Sequence, residues 1–191
     1  MSIVRSVSVG KMNRSISWAA TATAFAGMFV ANASEPVRHP SGFVFPETIA
    51  SFHRERVVRN DKEGKDISVT YGDRKAPAVI TVSVYPAASP YSSSSLRKHQ
   101  QDCVRQIATH AAPIQKVLES ETKPRGSYRG FGGIYAYQER FAGRMQLVIT
   151  WLEVYQSGSY IVKFEESYPD ATADASAGAI GKFTDAFVWP K

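Results

Sequence analysis

Cysteine is almost absent from this chain. One residue, Cys103, stands in 191, so no disulfide can form within the chain, and zinc sites of the usual Cys/His kind are excluded. No Gly-x-Ser-x-Gly nucleophile elbow occurs, and no local context marks any serine or any of the four histidines as part of a triad. Acidic residues are missing from residues 1–33, where Arg5, Lys11 and Arg14 are the charged groups. No unbroken run of about 20 strongly apolar residues is present to cross a bilayer as a helix. These absences leave no catalytic residue, no metal ligand and no cofactor to assign.

What is present is the composition of one folded domain: 43% apolar, 12% aromatic and 21% charged residues. A formal charge of +6 invites nucleic acid or an anionic membrane as partner. The N-terminus alters that arithmetic. Its basic start leads into a weakly apolar run from Ile16 to Val30, diluted by Thr21, Thr23 and Gly27, and ends in Ala31-Asn32-Ala33. A positive segment, a short apolar helix and small residues at the junction describe a secretory signal peptide over residues 1–33, cleaved before Ser34. Cleavage leaves about 158 residues, with 20 basic against 17 acidic side chains and a charge of +3. A periplasmic or secreted location follows, with no transmembrane segment after cleavage.

Residues 34–41, with Pro36 and Pro40, read as a mobile lead before a single α+β domain over 42–191. Gly42–Pro46 is a short extended piece. Strands are expected at Phe52–Arg59, Asp66–Tyr71 and Val79–Tyr85; in the last, Ile80, Val82 and Val84 share one face. The serines around 92–95 suit a helix start, and a helix is expected from about Ser94 to Ala112, where Pro113 stops it. On it Leu96, Cys103, Val104, Ile107 and Ala111 form an apolar face, which makes Cys103 a small buried hydrophobe. Four more strands are expected at Gln115–Thr122, Gly132–Phe141, Met145–Gln156 and Tyr160–Tyr168, the last three joined by short glycine-centred turns. Asp170 is positioned to cap a final helix with its apolar stripe on Ala173, Ala177, Ile180, Phe183 and Phe187. The strand Met145–Gln156 is apolar on both faces and so calls for cover on both. The sum is an antiparallel sheet of about six or more strands flanked by two helices, an α/β/α sandwich.

The Phe43-Val44-Phe45-Pro46 entry, the meander ending in Val82-Ser83-Val84-Tyr85-Pro86, the following helix, the Gly133-to-Glu139 strand, the long hairpin and the terminal Phe183-to-Phe187 helix together resemble the PsbP-like and Mog-like sandwich proteins. That resemblance lies in element order over residues 42–189. It implies accessory and binding roles.

Arg129-Gly130-Phe131-Gly132-Gly133-Ile134 looks like the start of an RNA-recognition signature, which needs two aromatic rings on one sheet face. Gly133 stands at the second stacking position and Ala136 replaces the later aromatic, so the segment reads as a glycine-rich entry to a strand and nucleic acid is not the expected partner. Lys123 and Arg125 before these glycines could cradle a phosphate, but such a loop should lead into a helix and this one leads into a strand. Glu165 and Glu166 are adjacent in a strand and point to opposite faces. Glu166 shares its face with Val162 and Phe164 and is the one acid with a semi-buried place, expected near the strand end or beside a basic side chain. Alternation along His53-Arg54-Glu55-Arg56 places Arg54 and Arg56 on one face as a basic row. The expected function is that of a non-catalytic exported accessory protein binding an envelope protein or other cell-surface component, with Arg54, Arg56, Tyr91 and Arg129 as candidate contacts. The other reading is a small-ligand binder or hydrolase with a pocket between helix and sheet.

Overall fold

The computed structural model describes residues 35–90, 92–109, 113–125 and 127–190. The expected signal peptide with its cleavage point at Ser34, and the candidate contact Tyr91, lie outside those residues. Residues 33–191 group as one unit. Short strands β1 (Val37–Arg38) and β2 (Val44–Phe45) pair with each other. An eight-stranded sheet is built from β3 (Thr48–Ile49), β4 (Phe52–Arg59), β5 (Ile67–Asp73), β6 (Ala78–Pro86), β7 (Gln115–Arg125), β8 (Tyr128–Phe141), β9 (Arg144–Ser157) and β10 (Tyr160–Pro169), in the order β3-β4-β5-β6-β10-β9-β8-β7. Helix α1 (Ser93–Ala108) joins β6 to β7, and α2 (Ala173–Ala186) follows β10 after a 3-10 turn at Asp170–Thr172. The expected antiparallel sheet flanked by two helices is present.

The helices take opposite faces because each strand offers two. From α1, Leu96 and Cys103 pack among Val148, Leu152, Val154 and Ile161. From α2, Ile180 and Phe183 pack among Ile80, Val82, Val84, Val162 and Phe164, in the larger core. Ile161 and Val162 are neighbours in β10, so the two clusters lie on opposite sides of the sheet. Helix α1 starts on a reciprocal cap: Ser95 N donates to Ser92 Oγ at 3.0 Å, and Ser92 N donates to Ser95 Oγ at 3.2 Å. The expected apolar stripe of α2 shifts on packing. Ser176, Ala179, Ile180 and Phe183 are its buried residues, while Ala177 is exposed; Asp170 opens the 3-10 turn, and Thr172 is the cap residue of α2.

Three expectations change. Residues 35–41 do not form a free lead, since β1 lies there, His39 is buried with its ring on Ser41 Oγ and Lys65 O, and Arg54 donates to Glu35 O at 3.0 Å. Strand β8 starts at Tyr128, four residues before the expected Gly132, so the Arg129–Gly133 segment is strand and not an entry loop. Cover on both faces of β9 is incomplete. Its α1 face is closed by Val148, Thr150, Leu152 and Val154, but on the α2 face Met145, Leu147 and Trp151 remain exposed, at 63%, 39% and 39%. Helix α2 packs on β6 and β10 and leaves the β7–β9 part of that face open.

Candidate functional site

The open part of the α2 face is a groove between one flank of α2 and the strands β7–β9. Its wall on the helix side is Ala177, Ile180, Gly181, Thr184 and Asp185, and its far wall is Leu118, Thr122 and Arg125. Two adjoining hollows of about 240 and 210 Å³ share Arg125, Trp151 and Glu153 in their lining and together make up the groove. Small-molecule sites usually measure about 300–1,000 Å³.

Register determines which side chains meet there. Across β9 and β10, Glu153 pairs with Phe164 and Trp151 with Glu166; across β8 and β9, Gly132 pairs with Glu153, Gly130 with Tyr155 and Ile134 with Trp151. Glu153 and Glu166 are diagonal neighbours on one face, a spacing of about 7–8 Å along the backbone. Gly132 and Gly133 of β8 form part of the floor. A Cβ on Gly130 would lie 2.5 Å from the Tyr155 ring, and one on Gly133 would lie 2.8 Å from Leu118 O. These close approaches, not a turn, account for glycine at both positions.

Glu166 is 2% exposed. Among the described residues no basic side chain forms an ion pair with it, and its one hydrogen-bonding neighbour is Thr184, whose Oγ1 lies 3.3 Å from Oε1. Thr184 Oγ1 is also 3.0 Å from Ile180 O. A hydroxyl has one hydrogen, so when it serves Ile180 O its lone pair can accept from a protonated Glu166. Burial, with the Glu153 carboxylate as the second cause, pushes the Glu166 carboxyl up to about 8, against smaller opposing effects of Thr184 and Arg125. Glu153 is raised too, chiefly by burial, while the Tyr155 hydroxyl, donating to Oε2 at 3.0 Å, and Arg125 oppose the shift. Glu166 therefore occupies neither a strand end nor a salt bridge, as expected from sequence, but the covered middle of the sheet. On the far wall two buried polar atoms, Arg125 Nε and Thr122 Oγ1, make no well-formed hydrogen bond, the Tyr155 hydroxyl being the polar group beside them.

The sequence-derived contacts are not brought together. A β-bulge at Glu55 shifts the register, so Arg54 pairs with Tyr71 and Arg56 with Thr70, on opposite faces. Arg54 lies inward, donating to Phe45 O at 2.6 Å, while Arg56 and Arg129 are exposed. Between β4 and β8 stand four strands, so Arg129 is roughly 24 Å from that pair at about 4.8 Å per strand. Phe131, the aromatic of the RNA-like segment, is buried beneath α1 with the Arg97 guanidinium 5.4 Å from its ring centre.

A second cleft, about 540 Å³, lies on the other face beside α1 and includes Tyr85, Lys98, His99 and Gln156. Its polar groups largely satisfy one another. The Tyr85 hydroxyl is 2.6 Å from His99 Nε2, and Gln156 donates to Ser89 O at 2.8 Å. Cys103 nearby is buried as expected, and burial pushes its thiol up, the direction opposite to that of an activated nucleophile.

No protein-family model matches the chain, and no curated protein matches it at significant similarity. Among the described residues no helix is long and apolar enough to cross a membrane.

Proposed function

We propose that this protein is an exported small-ligand-binding domain whose ligand lies in the groove between α2 and β7–β9. The observation that carries the reading is Glu166: a carboxyl withdrawn from water, without a cationic partner among the described residues, lining an open groove together with a second acid and an exposed indole. Burying such a group costs stability unless something compensates. A strongly perturbed acid that lines a cleft marks a candidate functional site.

Support for export is the basic, acid-free N-terminal segment ending in Ala31-Asn32-Ala33. The strands-helix-strands-helix order is the one on which the resemblance to the PsbP-like and Mog-like sandwich proteins rests, and binding roles agree with it. An envelope partner held through Arg54, Arg56 and Arg129 has less behind it, because those side chains do not share a surface.

Gly181 provides the test. It sits on the groove wall, and a Cβ there would meet nothing within 4 Å. Gly181→Leu fills the groove while improving helix propensity by about 0.8 kcal/mol. In a thermal-shift panel of small amines, acids, sugars and aromatics, binders should raise the melting temperature of the wild type and not of this variant. A ligand at about 100 times its Kd stabilises by about 2.7 kcal/mol, enough to read. Hits that shift both proteins equally, or an absence of hits, would overturn the reading.

A further inference from the structure

If the groove is the binding site, which the following rests on, its polar groups specify the ligand. We infer that it takes a small organic amine: an ammonium between Glu153 and Glu166, an apolar or aryl body on Trp151, and an oxygen at the far end facing Arg125 and Thr122.

Charge comes first. In a protein with more basic than acidic residues, this groove gathers Glu153, Glu166 and Asp185 against one cation, Arg125. The groups facing Glu166 are Glu153 from β9, Tyr168 from β10, Thr184 and Asp185 from α2, and Arg125 from β7; its partner in β6 is Ile80, which is uncharged. An ammonium arriving here meets two carboxyl groups with unfilled acceptor capacity. Glu166 is not an ordinary surface acid: it is 2% exposed and lines the groove, with Thr184 its only described hydrogen-bonding neighbour. The observation independent of the acids is on the far wall, where Arg125 Nε and Thr122 Oγ1 are buried without a well-formed hydrogen bond. The body of the ligand follows from the middle of the groove. Trp151, Ile134 and Leu118 form an apolar strip there, Leu118 being 54% exposed, and an indole face beside a cation adds attraction. At the far end, Arg125 Nε and Thr122 Oγ1 are buried donors without a well-formed hydrogen bond, the Tyr155 oxygen being the acceptor they approach. An oxygen acceptor on the ligand would give such a donor the well-formed bond whose lack is costly.

Binding has a proton consequence. Glu166 holds its proton near neutrality, and an ammonium beside it favours the carboxylate, so the proton leaves to solvent as the amine enters. The complex gains a carboxylate–ammonium pair and releases one proton.

Three isosteric probes separate the contributions: tyramine, phenethylamine and 4-hydroxyphenylacetate, titrated into the full chain by calorimetry. Tyramine should bind best. Phenethylamine, lacking the oxygen, should bind about tenfold more weakly, the equivalent of one hydrogen bond from a charged donor at about 1.5 kcal/mol. 4-Hydroxyphenylacetate should be at least tenfold weaker than tyramine. At pH 7, titrations in two buffers of different ionisation enthalpy should show close to one proton released per tyramine, with affinity rising nearly tenfold from pH 6 to 7. Glu166→Gln should bind without proton release, and the wild-type proton count decides the matter should that variant not fold. Equal or tighter binding of 4-hydroxyphenylacetate would overturn the amine while leaving the groove as the site, with Arg125 as the anchor. Failure of all three probes would overturn the amine class, and the Gly181→Leu panel decides separately whether the groove binds anything.

Discussion

Replacing Glu166 by glutamine should remove a pH dependence of stability that the fold imposes on itself. The carboxyl is raised from an ordinary 4.5 to about 8. Below pH 4.5 it is protonated in folded and unfolded chains alike and costs nothing. Between 4.5 and about 8 the unfolded chain gives up a proton that the folded chain retains, so stability falls as pH rises, by about 1.4 kcal/mol per pH unit. The loss is complete above about 8, with a ceiling of about 5 kcal/mol across the window. That is a large part of the 5–15 kcal/mol typical of a domain. Glutamine keeps the shape and a hydrogen-bonding group but carries no charge to bury. Two other titrating groups bear on the profile. His99 is lowered, chiefly by burial, so it destabilises on acidification in both proteins and cancels in the difference. Glu153 is raised too, chiefly by burial, so it destabilises as pH rises in both proteins and likewise drops out of the difference. Urea denaturation at pH 5, 6, 7 and 8 at constant ionic strength should give near-equal stabilities at pH 5 and an advantage to the variant of several kcal/mol at pH 8. Profiles that run parallel within about 0.5 kcal/mol across that range, the usual scatter of a surface substitution, would refute the placement of a protonated acid in this sheet.

Two further outcomes follow from the packing. Gly130→Ala puts a methyl 2.5 Å from the Tyr155 ring and against the Thr122 hydroxyl, so it should cost about 1–3 kcal/mol in urea denaturation, whereas Gly143→Asn in the exposed β8–β9 turn, at φ 82, should cost under about 1 kcal/mol. Cys103, buried under α1 with its thiol pushed up, should react with a thiol reagent at pH 8 far more slowly in the native protein than in denaturant; equal rates would place it at the surface.

The elements were legible because local patterns carry them. Ile80, Val82 and Val84 alternate over nine residues of β6, and the serines at 92–95 form the reciprocal cap of α1. The Arg54–Arg56 row was lost to a bulge, and a bulge inverts a face without leaving a mark in alternation, since one extra residue looks like any other. The site is harder for a different reason. Glu153 and Glu166 meet only because β9 and β10 pair in one register, and a shift of one residue would send one of them to the opposite face. Arg125 reaches them from β7, two strands from β9, where sequence offered only a basic residue before a glycine run.

One signal was present. Leu147, Ile149 and Trp151 make the α2 face of β9 as apolar as a buried one, yet α2 is a 14-residue helix of small side chains seated over β6 and β10. A helix spans a sheet face about 10 Å wide, the breadth of two strands. Helix α2 and the aromatic cluster of Phe43, Phe45, Phe187 and Trp189 cover only part of one face of the eight strands, and the doubly apolar strand together with Gly132 opposite Glu153 locates the uncovered part. Small residues on the neighbouring strand lower the floor, the apolar strand supplies the wall, and the acids of β9 and β10 fall where the helix edge ends. The groove is thus what remains of a wide sheet face between a narrow helix and the aromatic cluster of Phe43, Phe45, Phe187 and Trp189.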